Sequence, residues 1–131
     1  MTKIIQTENL PNGMKIEFID CSNRYYGDYH RVRIEVRFIF PLTPAVFEQL
    51  ADSEAERGKI RKVLGEKYVY TRVLEKMGVP GDALEETRRS LIDSFIGSTF
   101  SYMAQPSFPL RLIVRELARR SKVHRPFRNS R

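Results

Sequence analysis

Between Arg31 and Phe40 the chain reads RVRIEVRFIF, and this run restricts the fold more than any other. Val32, Ile34, Val36, Phe38 and Phe40 take every second position, while Arg31, Arg33, Glu35 and Arg37 stand between them. In an extended chain successive side chains leave on opposite faces, so the apolar groups share one face and the charges the other. The pattern predicts a β-strand with one face in a core and one in water, which makes the arginine run mainly a solvated surface. Such a strand needs neighbours, and Leu10-Pro11-Asn12-Gly13 supplies them. Proline suits the first central position of a type I turn, and glycine suits the left-handed position that follows. The turn sets Leu10 opposite Met14, after which Met14, Ile16 and Phe18 alternate with Lys15, Glu17 and Ile19. A hairpin plus one long strand gives a three-stranded antiparallel sheet with a single apolar face.

From Pro41 onward the signals become helical. Thr43-Pro44 pairs a capping residue with proline at the first helical position, ahead of Val46, Phe47, Leu50 and Ala51. Residues 52–59, DSEAERGK, are polar and contain Gly58, which predicts a break. Ile60, Val63, Leu64, Tyr70, Val73, Leu74 and Met77 read as a helical stripe that stops at Gly78-Val79-Pro80. Asp82 and Glu85 have capping-box spacing. The long helix behind them would show Leu84, Leu91, Ile92, Phe95, Ile96, Phe100 and Met103 on one face. After Gln105-Pro106, Ser107 opens a last helix with Leu110, Ile113, Val114 and Leu117 turned inward. The reading is an α+β fold, its N-terminal three-stranded antiparallel sheet covered on one face by three to four C-terminal helices. Residues 1–121 form the one domain and 122–131 a basic, flexible tail. The turn-rich stretch 20–29 is expected to be a loop.

Charge is the second informative feature. The chain of 131 residues has a net charge of +7. Residues 1–104 carry 15 Lys/Arg and 15 Asp/Glu, so the excess lies beyond them: Arg111, Arg115, Arg119, Arg120, Lys122, Arg125, Arg128 and Arg131 against Glu116 alone. A neutral body with a basic end is the pattern of an element that meets an anionic partner. Arginine dominates, and its planar fork suits phosphate. No stretch has the roughly 18 apolar residues of a membrane span, and residues 1–13 lack the apolar core of a secretory signal. A single cysteine, Cys21, excludes an internal disulfide framework and a multi-cysteine zinc site. These features predict a cytoplasmic protein.

The residues of chemistry are sparse. His30 and His124 belong to no metal-ligand spacing, and Asp28-Tyr29-His30 reads as a surface cluster before it reads as an acid–base pair. Neither a nucleophile elbow nor a phosphate-cradling glycine loop is present. The expectation is therefore no catalytic, cofactor or metal residue. Two candidate surfaces are left. Arg111, Arg115, Arg119, Arg120, Lys122, Arg125 and Arg128 would contact an anion, with DNA or RNA phosphate the leading partner and an acidic protein the next. Arg24, Tyr25, Tyr26 and Tyr29 form an aromatic loop of the composition that binds partners or stacks on bases, although tyrosines that merely close the end of a sheet would look the same. The rival class is a protein–protein adaptor or homo-oligomer. A membrane surface is disfavoured, since the basic helix has no tryptophan and few apolar residues beyond those it needs to dock.

Overall fold

The computed structural model describes residues 3–123, with side chains through Arg120. Its framework is a five-stranded antiparallel sheet: β1 (Lys3–Asn9), β2 (Lys15–Asp20), β3 (Asn23–Tyr26), β4 (Tyr29–Pro41) and β5 (Lys67–Pro80). Four α-helices accompany it: α1 (Pro44–Leu50), α2 (Glu54–Leu64), α3 (Leu84–Met103) and α4 (Phe108–Val123). The class is α+β, as the strand and helix patterns predict. The 13-residue β4 is the spine. One of its edges meets β2 at residues 34–39 and β3 at residues 29–31, and the other meets β5 along its whole length.

The hairpin forms as its turn chemistry dictates. Gly13 has φ 91, its N–H donates to the Leu10 carbonyl at 3.1 Å, and Leu10 N–H donates to the Met14 carbonyl at 2.8 Å. Asn12 then ties this turn to the C-terminal end of α3. Its side-chain amide donates to the Met103 and Gln105 carbonyls at 2.8 and 2.9 Å, while its Oδ1 accepts from Met14 N–H. On β4, Val32, Ile34, Val36 and Phe38 are buried and the alternate arginines face outward. Arg31 and Arg33 lie 3.5 and 3.6 Å from Glu75, and Arg37 lies 2.9 Å from Glu35. The arginines of the defining strand therefore balance carboxylates on an open sheet face.

The largest departure from the sequence reading is β5. Residues 60–77 do not form one helical stripe: α2 ends at Leu64, Gly65 turns at φ 80, and a 14-residue strand follows. Tyr68, Val69, Tyr70, Thr71 and Val73 are β-branched or aromatic, types that pack well on a pleated surface. Extended, they bury Tyr68 and half-bury Tyr70 and Leu74 against β4. The sheet thus gains a strand after two helices, and the helices are not all C-terminal to it.

Other details differ for local reasons. Gly58 does not break α2, which is capped by Ser53, whose hydroxyl accepts from Glu56 N–H at 3.1 Å. The turn-rich stretch before Tyr29 contains β3, paired to β4 across a turn at Gly27. Asp82 and Glu85 make no capping box; a short 3₁₀ segment, Gly81–Ala83, leads into α3 instead. α4 keeps its amphipathic character but presents another sector: Phe108, Pro109, Leu112 and Ile113 are buried, Leu110 and Leu117 half-buried, and Val114 is 55% exposed. It also continues through Val123, two residues into the expected tail, while 124–131 lie outside the described residues.

The core sits between the sheet and the helices, with Phe38 at its centre. The Phe38 ring centroid lies 5.5 Å from Tyr70 on β5, 6.2 Å from Phe95 on α3 and 6.2 Å from Phe108 on α4.

Candidate anion-binding cleft

Where β5, α3 and α4 converge, the packing leaves a cleft of ≈ 140 Å³. Phe38, Met103, Phe108 and Leu112 form its apolar floor, and Tyr70, Thr99 and Tyr102 its walls. Three arginines, Arg72, Arg111 and Arg115, complete the lining, which includes no acidic residue.

Each arginine reaches the cleft by a different local rule. Arg72 lies opposite Val36 on β5, on the helix-covered face, and its guanidinium carbon lies 5.7 Å from the Phe95 ring centre. Arg111 and Arg115 are one helical turn apart on α4 and so share a side of it. The Arg111 fork donates to Gln105 Oε1 at 2.7 Å and Ser107 Oγ at 2.9 Å, and it lies 5.4 Å from the Tyr102 ring centre. These partners orient the guanidinium without neutralising it. Among the described residues, none of the three arginines has a carboxylate within ion-pair distance. Uncompensated positive charge over a low-dielectric floor concentrates the field at the mouth of the cleft. Tyr102, 47% exposed, offers an aromatic face beside it.

Arg119 and Arg120 have another task. Both donate to Glu116, with Arg120 Nε at 2.7 Å, and Arg120 also donates to the Val63 carbonyl at 2.9 Å. These hydrogen bonds hold the Glu116 carboxyl below the usual carboxylate range. The cluster joins α4 to the corner between α2 and β5, close to the buried Tyr68. Burial, with the Glu116 charge as a lesser cause, pushes the Tyr68 hydroxyl up to about 12. A phenol held neutral by the fold stabilises it up to the ordinary tyrosine range, and that contribution fades as pH rises through about 12. Thermal melts between pH 9 and 12, run beside tyrosinate absorbance, should show about the steepest loss of stability above pH 10. Tyr68→Phe should make that decline shallower.

Of the arginines expected to contact an anion, the structure brings Arg111 and Arg115 together at the cleft and commits Arg119 and Arg120 largely to Glu116. The side chain of Lys122, with Arg125 and Arg128, lies outside the described residues. The tyrosine group sits elsewhere. Tyr25, Tyr26 and Tyr29 are 50, 74 and 50% exposed around the β3–β4 turn, and Arg24 pairs with His30 across that hairpin. Tyr29 and Phe38 are nine residues apart on β4, which separates the hairpin tip from the cleft by about 30 Å. Asp28 has a local role there, since its Oδ2 accepts from Gly81 N–H at 3.2 Å and its Oδ1 lies 4.0 Å from His30 Nε2. Among the described residues, no three His, Cys, Asp or Glu side chains gather as a metal site, and no helix is long and apolar enough to cross a membrane.

Arg72, Tyr70 and Tyr102 are the cleft residues that charge counting along the chain passes over. Comparison with protein-family models, curated proteins and solved structures finds no match to this chain.

Proposed function

We propose that this is a non-enzymatic binding domain whose cleft and basic C-terminal helix take an anionic partner, with nucleic-acid phosphate as the leading candidate. The carrying observation is the lining of the cleft: three arginines, two tyrosines and no acid around an apolar floor. Guanidinium forks receive phosphate oxygens in pairs. Tyrosine faces accept a base by stacking, which every base permits. With the forks on phosphate oxygens and the rings on base faces, recognition is led by phosphate and has little sequence specificity. Arg125, Arg128 and Arg131 continue the same charge further along the sequence.

Binding to short labelled DNA and RNA, followed by fluorescence anisotropy across a salt series, tests this. With about five phosphates engaged on a duplex, the logarithm of affinity should fall against that of salt with a slope near −4.5. A flat response, or no binding at low salt, would end this reading. The alternative of a self-associating or adaptor domain draws on a separate observation, the edge of β5 that pairs with no strand among the described residues.

A further inference from the structure

β5 is the longest strand, and among the described residues it pairs with β4 alone. Its other edge therefore presents a row of backbone donors and acceptors, a template for another strand. Charges on an edge strand ordinarily discourage such pairing. The charges of β5, however, follow an order that suits one particular partner.

The run is Glu66-Lys67-Tyr68-Val69-Tyr70-Thr71-Arg72-Val73-Leu74-Glu75-Lys76. Laid antiparallel against itself about Thr71, it places Glu66 opposite the partner's Lys76 and Lys67 opposite the partner's Glu75. Val69 then meets the partner's Val73, Tyr68 the partner's Leu74, Tyr70 the partner's Arg72, and Thr71 its own copy. The outer four charges meet opposite charges, and Arg72 meets an aromatic ring.

Neighbouring registers that keep the same faces together are worse. Centring on Arg72 sets two arginines against each other, and centring on Leu74 sets Arg72 against the partner's Lys76. Centring on Tyr70 leaves Lys67 opposite the partner's Val73. Centring on Val73 leaves Lys76 facing the partner's Tyr70 and Glu75 facing the partner's Thr71. Exposed charge pairs add little affinity singly, but they select register.

We infer that two copies of this chain join through their β5 edges, antiparallel about Thr71, into one continuous sheet. The dyad is perpendicular to that sheet, so the helices of both copies lie on one side. Tyr70 and Arg72 lie on the helix-covered face and line the cleft. Pairing therefore brings the partner's Arg72 beside Tyr70, and the second copy adds a guanidinium at the cleft wall. The inference rests on edge complementarity and stands apart from any ligand the cleft takes.

The test uses the full chain without nucleic acid, so its outcome is independent of the anion reading. Sedimentation across a dilution series should show a mass rising from 15.4 kDa toward twice that value. In a Cys21→Ser background, mild oxidation of Thr71→Cys should give a covalent dimer, because the residue faces itself across the dyad. Val73→Cys should not, since its own copy would be about 14 Å away by strand rise, beyond the about 7 Å that a disulfide tolerates. Lys67→Glu places a carboxylate opposite the partner's Glu75 and should weaken association several-fold at low salt. A monomer throughout the dilution series, or cross-linking at position 73 in place of 71, overturns the proposal. The mass of the unmodified protein decides the matter even if a cysteine variant folds poorly.

Discussion

Phe38→Ala is expected to lower the unfolding free energy by about 3–5 kcal/mol, the usual cost of removing a large aromatic group from a packed core. Phe38 is 1% exposed. Its ring meets Tyr70 and Phe95 edge-on and Phe108 at a tilt, so one side chain joins β5, α3 and α4. Deleting it removes apolar burial and leaves a hole that three elements must close, each anchored elsewhere. A domain of this size is stable by only about 5–15 kcal/mol in total, so the loss takes a large share. Urea unfolding followed by circular dichroism measures it, with Val114→Ala as the comparison. Val114 is half exposed on α4 and should cost at most a few tenths of a kcal/mol, as surface substitutions usually do. Equal effects from the two would mean that α4 docks by the sector containing Val114, not by Leu112 and Ile113.

That comparison marks where sequence patterns lose their power. The Leu10–Met14 turn and the strand through Phe38 were legible because each carries two independent signals: turn residues with flanking alternation, and alternation in both charge and hydropathy. β5 was not, because Tyr70, Val73, Leu74 and Met77 fit a helical period while Tyr68, Tyr70, Arg72 and Leu74 fit an extended one. Local spacing satisfied both, and pairing with β4, a contact distant in sequence, decided between them. In α4 the apolar residues Leu110, Leu112, Ile113, Val114 and Leu117 spread over more than one sector, so the helix was visible but its rotation was not. The cleft divides the same way. Arg111 and Arg115 followed from the charge excess, whereas Arg72 lay on the misassigned element and Tyr102, seven residues after Phe95 and so on the same side of α3, carries no charge to count. The engagement of Arg119 and Arg120 could have been read from Glu116, which precedes them by three and four residues, the spacing at which helical side chains meet.

Spatial placement also predicts which arginines an anion should need. Joint replacement of Arg111 and Arg115 by alanine should weaken phosphate-led binding by about 10²-fold near 0.1 M salt and reduce the salt slope by about 1.8, the amount expected for two lost contacts. The same change at Arg119 and Arg120 removes equal formal charge. These two share the one carboxylate of Glu116, so part of their field is cancelled before a ligand arrives. Their loss should reduce the salt slope by less than the first pair does and reveal itself mainly in stability, because Glu116 would lose both of these donors and the Val63 carbonyl one, beside buried Tyr68. Equal loss of binding from the two pairs would show that the partner senses net charge alone and that the cleft has no special part. If the first pair loses binding and keeps its fold while the second does the reverse, α4 is divided along its length. Its first turns then serve the ligand, and its last turns fasten the helix to the corner between α2 and β5.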